Sequence, residues 1–218
     1  MKYQNQILAG IVVVLSSCSQ EPVTGDKEMR QGIALFKNDE IIEALDLFQS
    51  AAGKPLNVYE SWELHNYIGS CYLKLEKFEE ALATYDQSLA AHDGSEIVWV
   101  NKGVALRKMD RLSEAEECYL KALELNPNYA ELHSSLGCLC IVRDKPEEAV
   151  DYFERAIKLK PGLASTHGNY AIALGMLGNF EAAEAQLEKA ARLGYANVNA
   201  VKNDLKAMKS SSAKSPDQ

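Results

Sequence analysis

Three histidines stand in one register. His133 and His167 are 34 residues apart, and His65 lies 68 before His133. Imidazole is a common ligand for zinc and other borderline metals, so a histidine column raises the question of a metal site. The thiols raise a second chemistry. Cys138 and Cys140 form a Cys-x-Cys pair, Cys71 and Cys118 stand alone, and Cys18 lies near the amino terminus. Five cysteines is an odd number, which argues against a complete disulfide framework. The chain has no Gly-rich phosphate loop, no His-Glu-x-x-His and no Gly-x-Ser-x-Gly.

Cys18 differs from the other four in its surroundings. Lys2 supplies a short positive segment, and Ile7 to Leu15 is an apolar run of nine residues. As a helix that run covers only about 13 Å, against the ~30 Å of a bilayer core. It reads as a signal peptide over residues 1–17 rather than a membrane span. Leu15-Ser16-Ser17-Cys18 resembles the bacterial lipobox, in which small side chains expose the scissile bond and the cysteine thiol becomes the lipid acceptor. Cys18 is thus the expected lipidation site. Residues 18–24 form a lipidated terminus and short linker. Ser19 after the cysteine resembles an outer-membrane sorting signal, given a Gram-negative host. Removing residues 1–17 removes one lysine and no acid, leaving a net charge of −9.

The histidine register belongs to a wider repeat. Gly69, Gly103, Gly137 and Ala171 are spaced by 34. So are Ala81, Ala115, Ala149 and Ala183, and so are Tyr85, Tyr119, Phe153 and Leu187. Ser88, Ala122, Ala156 and Ala190 make a further column, and Pro127 and Pro161 close two repeats. An earlier copy uses Gly32, Ala44, Phe48 and Ala51. Gly32 to Gly69 is 37, which places about three extra residues in the loop around Gly53–Tyr59. Within each copy the apolar residues recur at helical spacing in two stretches. Asp144-Lys145-Pro146 reads as a capping acid before a first-turn proline, and Asn126-Pro127 and Lys160-Pro161 read as helix stops.

These columns resemble the tetratricopeptide repeat (TPR) family, most fully in WVNKGVALRKMDRLSEAEECYLKALELNPNY, Trp99 to Tyr129. The resemblance implies an all-α, right-handed superhelical solenoid of about five helix hairpins. The repeats are expected at residues 25–61, 62–95, 96–129, 130–163 and 164–197. A capping helix over 198–209 carries Val198, Val201, Leu205 and Met208 on one stripe, and a disordered tail follows over 210–218.

The repeat disposes of the metal reading. Equivalent residues in stacked helices sit about 10 Å apart, whereas zinc ligands need about 2.1 Å. The histidines and Trp99 are expected to pack, with no metal and no cofactor. Cys138 and Cys140, two apart on a helix, point to different sides. Acidic runs such as Glu114–Glu117 and Glu147-Glu148 open second helices, where they complement the helix dipole.

In the family the inner face comes from the first helix of each repeat. Carried over by column, the expected groove is Met29, Ile33 and Phe36; Glu63, Asn66, Ser70 and Leu73; Ile97, Val100, Val104 and Arg107; Glu131, Ser134, Cys138 and Ile141; and Ser165, Gly168, Ile172 and Gly175. This set reads as a largely aliphatic band with Arg107 as its one basic member. The implied protein is a non-catalytic adaptor or scaffold in the bacterial cell envelope, anchored to the membrane through Cys18. It binds another protein, taking an extended segment or an amphipathic helix. A polysaccharide-export or glycan-binding component is the alternative, as is a cytosolic adaptor if the amino terminus is misread. The net charge of −8 gives no basic footprint for nucleic acid.

Overall fold

A computed structural model describes residues 24–212, and these form α-helices joined by short turns. The lipobox, Cys18 and residues 213–218 lie outside the described residues. The first hairpin is α1 (Asp26–Lys37) and α2 (Ile41–Ala52), the second α3 (Ser61–Lys74) and α4 (Phe78–Ala91). The third is α5 (Glu96–Lys108) and α6 (Leu112–Leu125), the fourth α7 (Ala130–Val142) and α8 (Pro146–Leu159). The fifth is α9 (Ala164–Met176) and α10 (Phe180–Arg192), followed by a single helix, α11 (Val198–Ser212). The last helix therefore takes in residues 210–212, which the sequence pattern assigns to the tail.

A glycine and a ring hold each of the first four hairpins together. A Cβ placed on Gly32, Gly69, Gly103 or Gly137 would meet the ring of Phe48, Tyr85, Tyr119 or Phe153 at 2.5–2.6 Å. Those four rings are fully buried. Burying each stabilises the hairpin by roughly 2–3 kcal/mol. In the fifth hairpin the pair becomes Ala171 and Leu187, both buried. The smaller partner leaves room for the methyl group.

Each hairpin turn also needs one left-handed residue. Asp39, Glu76, Asp110 and Asp144 sit at φ between 57° and 66°, and Gly178 at 76°. This corrects the reading of Asp144 as a helix cap. The residue at the cap of α8 is Lys145, with no side-chain cap bond, and Pro146 follows at the first helical position. Asp144 closes the turn instead, a conformation that Asp tolerates better than most side chains.

The extra residues of the first repeat form the eight-residue connection 53–60. Asp26 pins it. Its carboxylate accepts hydrogen bonds from the backbone N–H of Asn57 at 3.1 Å and of Val58 at 3.0 Å. Lys54 pairs with Glu28 at 2.6 Å. The connection ends in a capping box, where the Glu60 N–H donates to Glu63 Oε2 at 2.8 Å.

The buried side chains fall into three clusters in series, around Phe48, around Tyr85 and Tyr119, and around Phe153. Half-buried Tyr72 packs against the first and second, and Tyr152 against the second and third. α11 closes the last repeat with buried Val201 and Leu205.

Candidate functional site

The curvature follows from which helices touch. Each odd-numbered helix from α1 to α9 meets the next odd-numbered one, while the even-numbered helices do not meet each other. The stack therefore bends toward its odd side, and the concave face is built from first helices.

A recess of about 290 Å³ opens on this face between the first three hairpins. Phe36, Glu63, Asn66, Ser70 and Ile97, all expected in the groove, line it together with Trp62, Tyr67 and Asn101. Ile33, Leu73, Val104, Arg107, Ser134, Cys138, Ile141 and Ile172 are half-buried on the same helices. Two expected residues are not at the surface. Met29 is 0% exposed and Val100 3%. Their column tucks beneath the neighbouring helix wherever the side chain is apolar, so they belong to the core. Gly168 and Gly175 are also buried, the first under Tyr195 and the second under Leu205 and Met208.

The next column along the helix was missed. Tyr67, Asn101, Ser135 and Asn169 stand 34 apart, and each is half-buried. Asn101 Nδ2 donates to Asn66 Oδ1 at 3.1 Å. Asn169 Nδ2 donates to Cys138 Sγ at 3.1 Å, and Thr166 Oγ1 to Ser134 Oγ at 2.9 Å. Tyr67 packs edge-on to Phe36 with ring centroids 5.8 Å apart. The groove is therefore an aromatic and amide surface at its amino-terminal end, and the largely aliphatic band read from the sequence is corrected. The signal was present in the amides at 101 and 169, whose 68-residue separation is twice the repeat.

The histidine column has a structural task. His133 Nε2 bonds the Pro127 carbonyl at 2.8 Å, and His167 Nε2 the Pro161 carbonyl at 3.0 Å. Trp99 Nε1 does the same to Asp93 at 2.8 Å. Each ring N–H thus ties a first helix to the connection six residues before it. His65, beyond the longer connection, bonds the Ser61 carbonyl at 2.7 Å instead. Among the described residues no group of three His, Cys, Asp or Glu side chains is placed to hold a metal.

The four described thiols are free. Burial pushes Cys71 up to about 12 and Cys118 up to about 11, and it raises Cys138 and Cys140 as well. Thiols held this far from the thiolate are poor nucleophiles. Among the described residues, no helix is long and apolar enough to cross a membrane.

The curved stack of paired helices, with a groove on its inner face, defines an all-α repeat solenoid. Comparison with known proteins names the repeat. Tetratricopeptide repeat families match residues 29–96, 97–129 and 118–151, together more than half of the chain. The chain belongs to the tetratricopeptide repeat family. It is 34% identical over 85 residues to the human protein O-mannosyl-transferase TMTC2, covering 39% of this chain and 10% of that protein. It is 28% identical over 74 residues to the peroxisomal targeting signal receptor of Candida albicans, covering 34% and 12%. The chain thus matches only about a tenth of the length of these curated relatives. Among solved structures, a thermophilic TPR protein of Thermus thermophilus superposes with a TM-score of 0.72 at 19% identity, covering 85% of this chain and 98% of that one. The APC/C hetero-tetramer Cut9–Hcn1 gives 0.76 at 17% identity, covering 85% and 36%. These likenesses show the fold. Proteins of this family act in protein–protein interaction.

Proposed function

We propose that this protein is a non-catalytic adaptor of the bacterial cell envelope, held to the membrane by a lipid on Cys18. Its concave groove takes an extended segment of another protein. The Asn66–Asn101 pair carries the groove reading. With one amide donating to the other, Asn66 Nδ2 and Asn101 Oδ1 have no partner among the described residues. A donor and an acceptor then face a recess walled by Phe36, Tyr67 and Ile97. That combination suits an extended backbone, whose N–H and C=O groups need partners while its side chains need pockets. An amphipathic helix satisfies its own backbone and has less use for the amides. The anchor reading rests on the apolar run and Leu15-Ser16-Ser17-Cys18. An acyl anchor of several chains is stable at ~0.8 kcal/mol per buried CH₂.

The aromatic and amide lining also favours a second reading. Aromatic faces with amides beside them suit a glycan, which makes an export component the rival.

A photo-crosslinking residue at Asn101, with a control at Glu117 on α6, separates the two in cells. Capture of a discrete envelope protein at 101 and not at 117 supports the adaptor. No protein adduct at 101, with binding to an array of envelope polysaccharides, overturns it in favour of the glycan. A Cys18→Ala variant that still fractionates with membranes overturns the anchor.

A further inference from the structure

The row of hairpins has two edges, and they differ in chemistry. One edge carries the carboxyl ends of the second helices, the connections between hairpins and the amino ends of the first helices. The chain enters here. The Gly25 N–H donates to the Pro55 carbonyl at 2.9 Å, and the Asp26 carboxylate accepts from the Val58 N–H at 3.0 Å. Leu125, Leu159 and Leu193 stand 34 apart at the ends of α6, α8 and α10, and each is 42–44% exposed. Val58, in the connection after α2, is 75% exposed. These four are half of the eight large apolar side chains exposed among the described residues. Apolar residues scattered singly over a surface need no explanation. Here the hairpins expose a leucine at the same corner three times in succession.

Charge distinguishes the same edge. In α1, α3, α5 and α7 the first turn holds an acid, whereas in α9 and α11 it holds none. Three of the acids along this edge are engaged: Glu28 by Lys54, Glu96 by Asn126 and Glu131 by Lys160. Exposed Lys158 and Lys189, within a turn of Leu159 and Leu193, make no ion pair among the described residues. The edge thus combines aliphatic side chains with free cations toward its carboxyl-terminal end, in a protein whose net charge is −8.

We propose that this edge rests on an anionic phospholipid bilayer, with Leu125, Leu159 and Leu193 entering the headgroup boundary and Lys158 and Lys189 meeting phosphate. The inference rests on the anchor reading above. Six residues separate Cys18 from Gly25. At no more than ~3.5 Å each they span about 20 Å. The opposite edge lies a helix length further off, again about 20 Å, so a lipid on Cys18 holds the leucine edge to the surface and not its opposite. Aliphatic side chains lose contact with water at that boundary, while lysine stems reach past them to the charged headgroups. An anionic leaflet attracts basic side chains held this close to it. The helices then stand upright on the bilayer and the concave groove opens along it, so a guest approaches parallel to the membrane.

The test uses the protein purified from membranes and reconstituted into vesicles of phosphatidylethanolamine and phosphatidylglycerol. A photo-crosslinking residue replaces Leu159, Leu193 or, on the opposite edge, exposed Val142. Each variant is checked for folding by thermal melting and for acyl chains on Cys18 by mass spectrometry. Severalfold more phospholipid adduct at 159 and 193 than at 142 supports the proposal. Leu125→Glu combined with Leu159→Glu is then expected to lower the adduct at 193, and so is replacing phosphatidylglycerol by phosphatidylcholine. An adduct that is indifferent to this change of lipid overturns the role of the lysines. An acylated protein with no lipid adduct at 159 and 193, with equal adduct at 142, or crosslinked there to a second copy of itself, overturns the edge and leaves the anchor standing. Absence of acyl chains on Cys18 overturns both.

Discussion

Gly69 lies so close to Tyr85 that a Cβ on the glycine would stand 2.6 Å from ring carbon Cε1. Two effects compete when Gly69 becomes Ala. Helix propensity favours Ala by about 1 kcal/mol, and overpacking a core opposes it by about 1–3 kcal/mol. A fully buried aromatic ring cannot swing aside, so the clash wins. Gly69→Ala is expected to destabilise by about 1–2 kcal/mol in urea melts. In a Tyr85→Leu background, which copies Ala171 and Leu187, the same substitution is expected to be neutral or stabilising. Equal effects in the two backgrounds would refute the coupling.

Asp26 predicts a pH dependence. The Val58 and Asn57 N–H groups and the Thr24 side chain hold its carboxyl below the usual range, against burial that raises it. A depressed carboxyl contributes stability that is fully present above its unfolded value and is lost as pH falls through the folded one. The contribution should therefore be complete above about pH 4 and drain away below it. Asp26→Asn is expected to flatten this part of the stability curve in melts between pH 2 and 6 (about the carboxylate range). It should also speed protease cleavage within 53–60.

The ring column separates His133 from His167. Both bond a proline carbonyl, but His167 Nδ1 also lies 2.8 Å from the Gln186 side-chain amide, whose N–H group can donate to it, while His133 Nδ1 is buried without a partner. Replacing each by Phe removes two bonds from one and a single bond plus an orphan from the other. His167→Phe is expected to be the costlier by about 1 kcal/mol. Added zinc is expected to leave the melting temperature of the wild type unchanged.

Thiol reactivity supplies a fourth check. With Cys71 near 12 and Cys118 near 11, native alkylation at pH 8 should trail the unfolded chain by roughly a hundredfold or more. Cys71 should be the slower of the two. A peptide seated in the groove should protect Cys138 and leave the rates of Cys71 and Cys118 unaltered.

Much of this architecture was legible in the sequence because a repeat writes the same packing problem several times. The glycine and ring columns named the contacting helix faces outright. The groove was harder to read. Met29 and Val100 share a column with Asn66, yet they are buried and the asparagine is not. Neighbouring columns differ by about 100° around a helix, and which of them clears the adjacent helix depends on the stacking angle. That angle is a property of the assembly, so Tyr67 and Asn101 went unseen. Asp26 was invisible for a similar reason: its partners are backbone amides 31 and 32 residues away, which leave no residue pattern. The turn at Asp144 was misread because Asp favours helix caps and left-handed turns alike.

The three clusters in series are stitched into one core by shared side chains. Tyr72 and Tyr152 are the half-buried side chains shared across the two boundaries, and Tyr72 is steadied at its hydroxyl by Gln49 Nε2 at 3.0 Å. Both boundaries fall inside a hairpin, between α3 and α4 and between α7 and α8, where Tyr85 is locked against Gly69 and Phe153 against Gly137, so bending there has to break a ring lock. A guest threaded along the inner face would thus meet one continuous wall, in which strain at either end is passed along the stack from hairpin to hairpin.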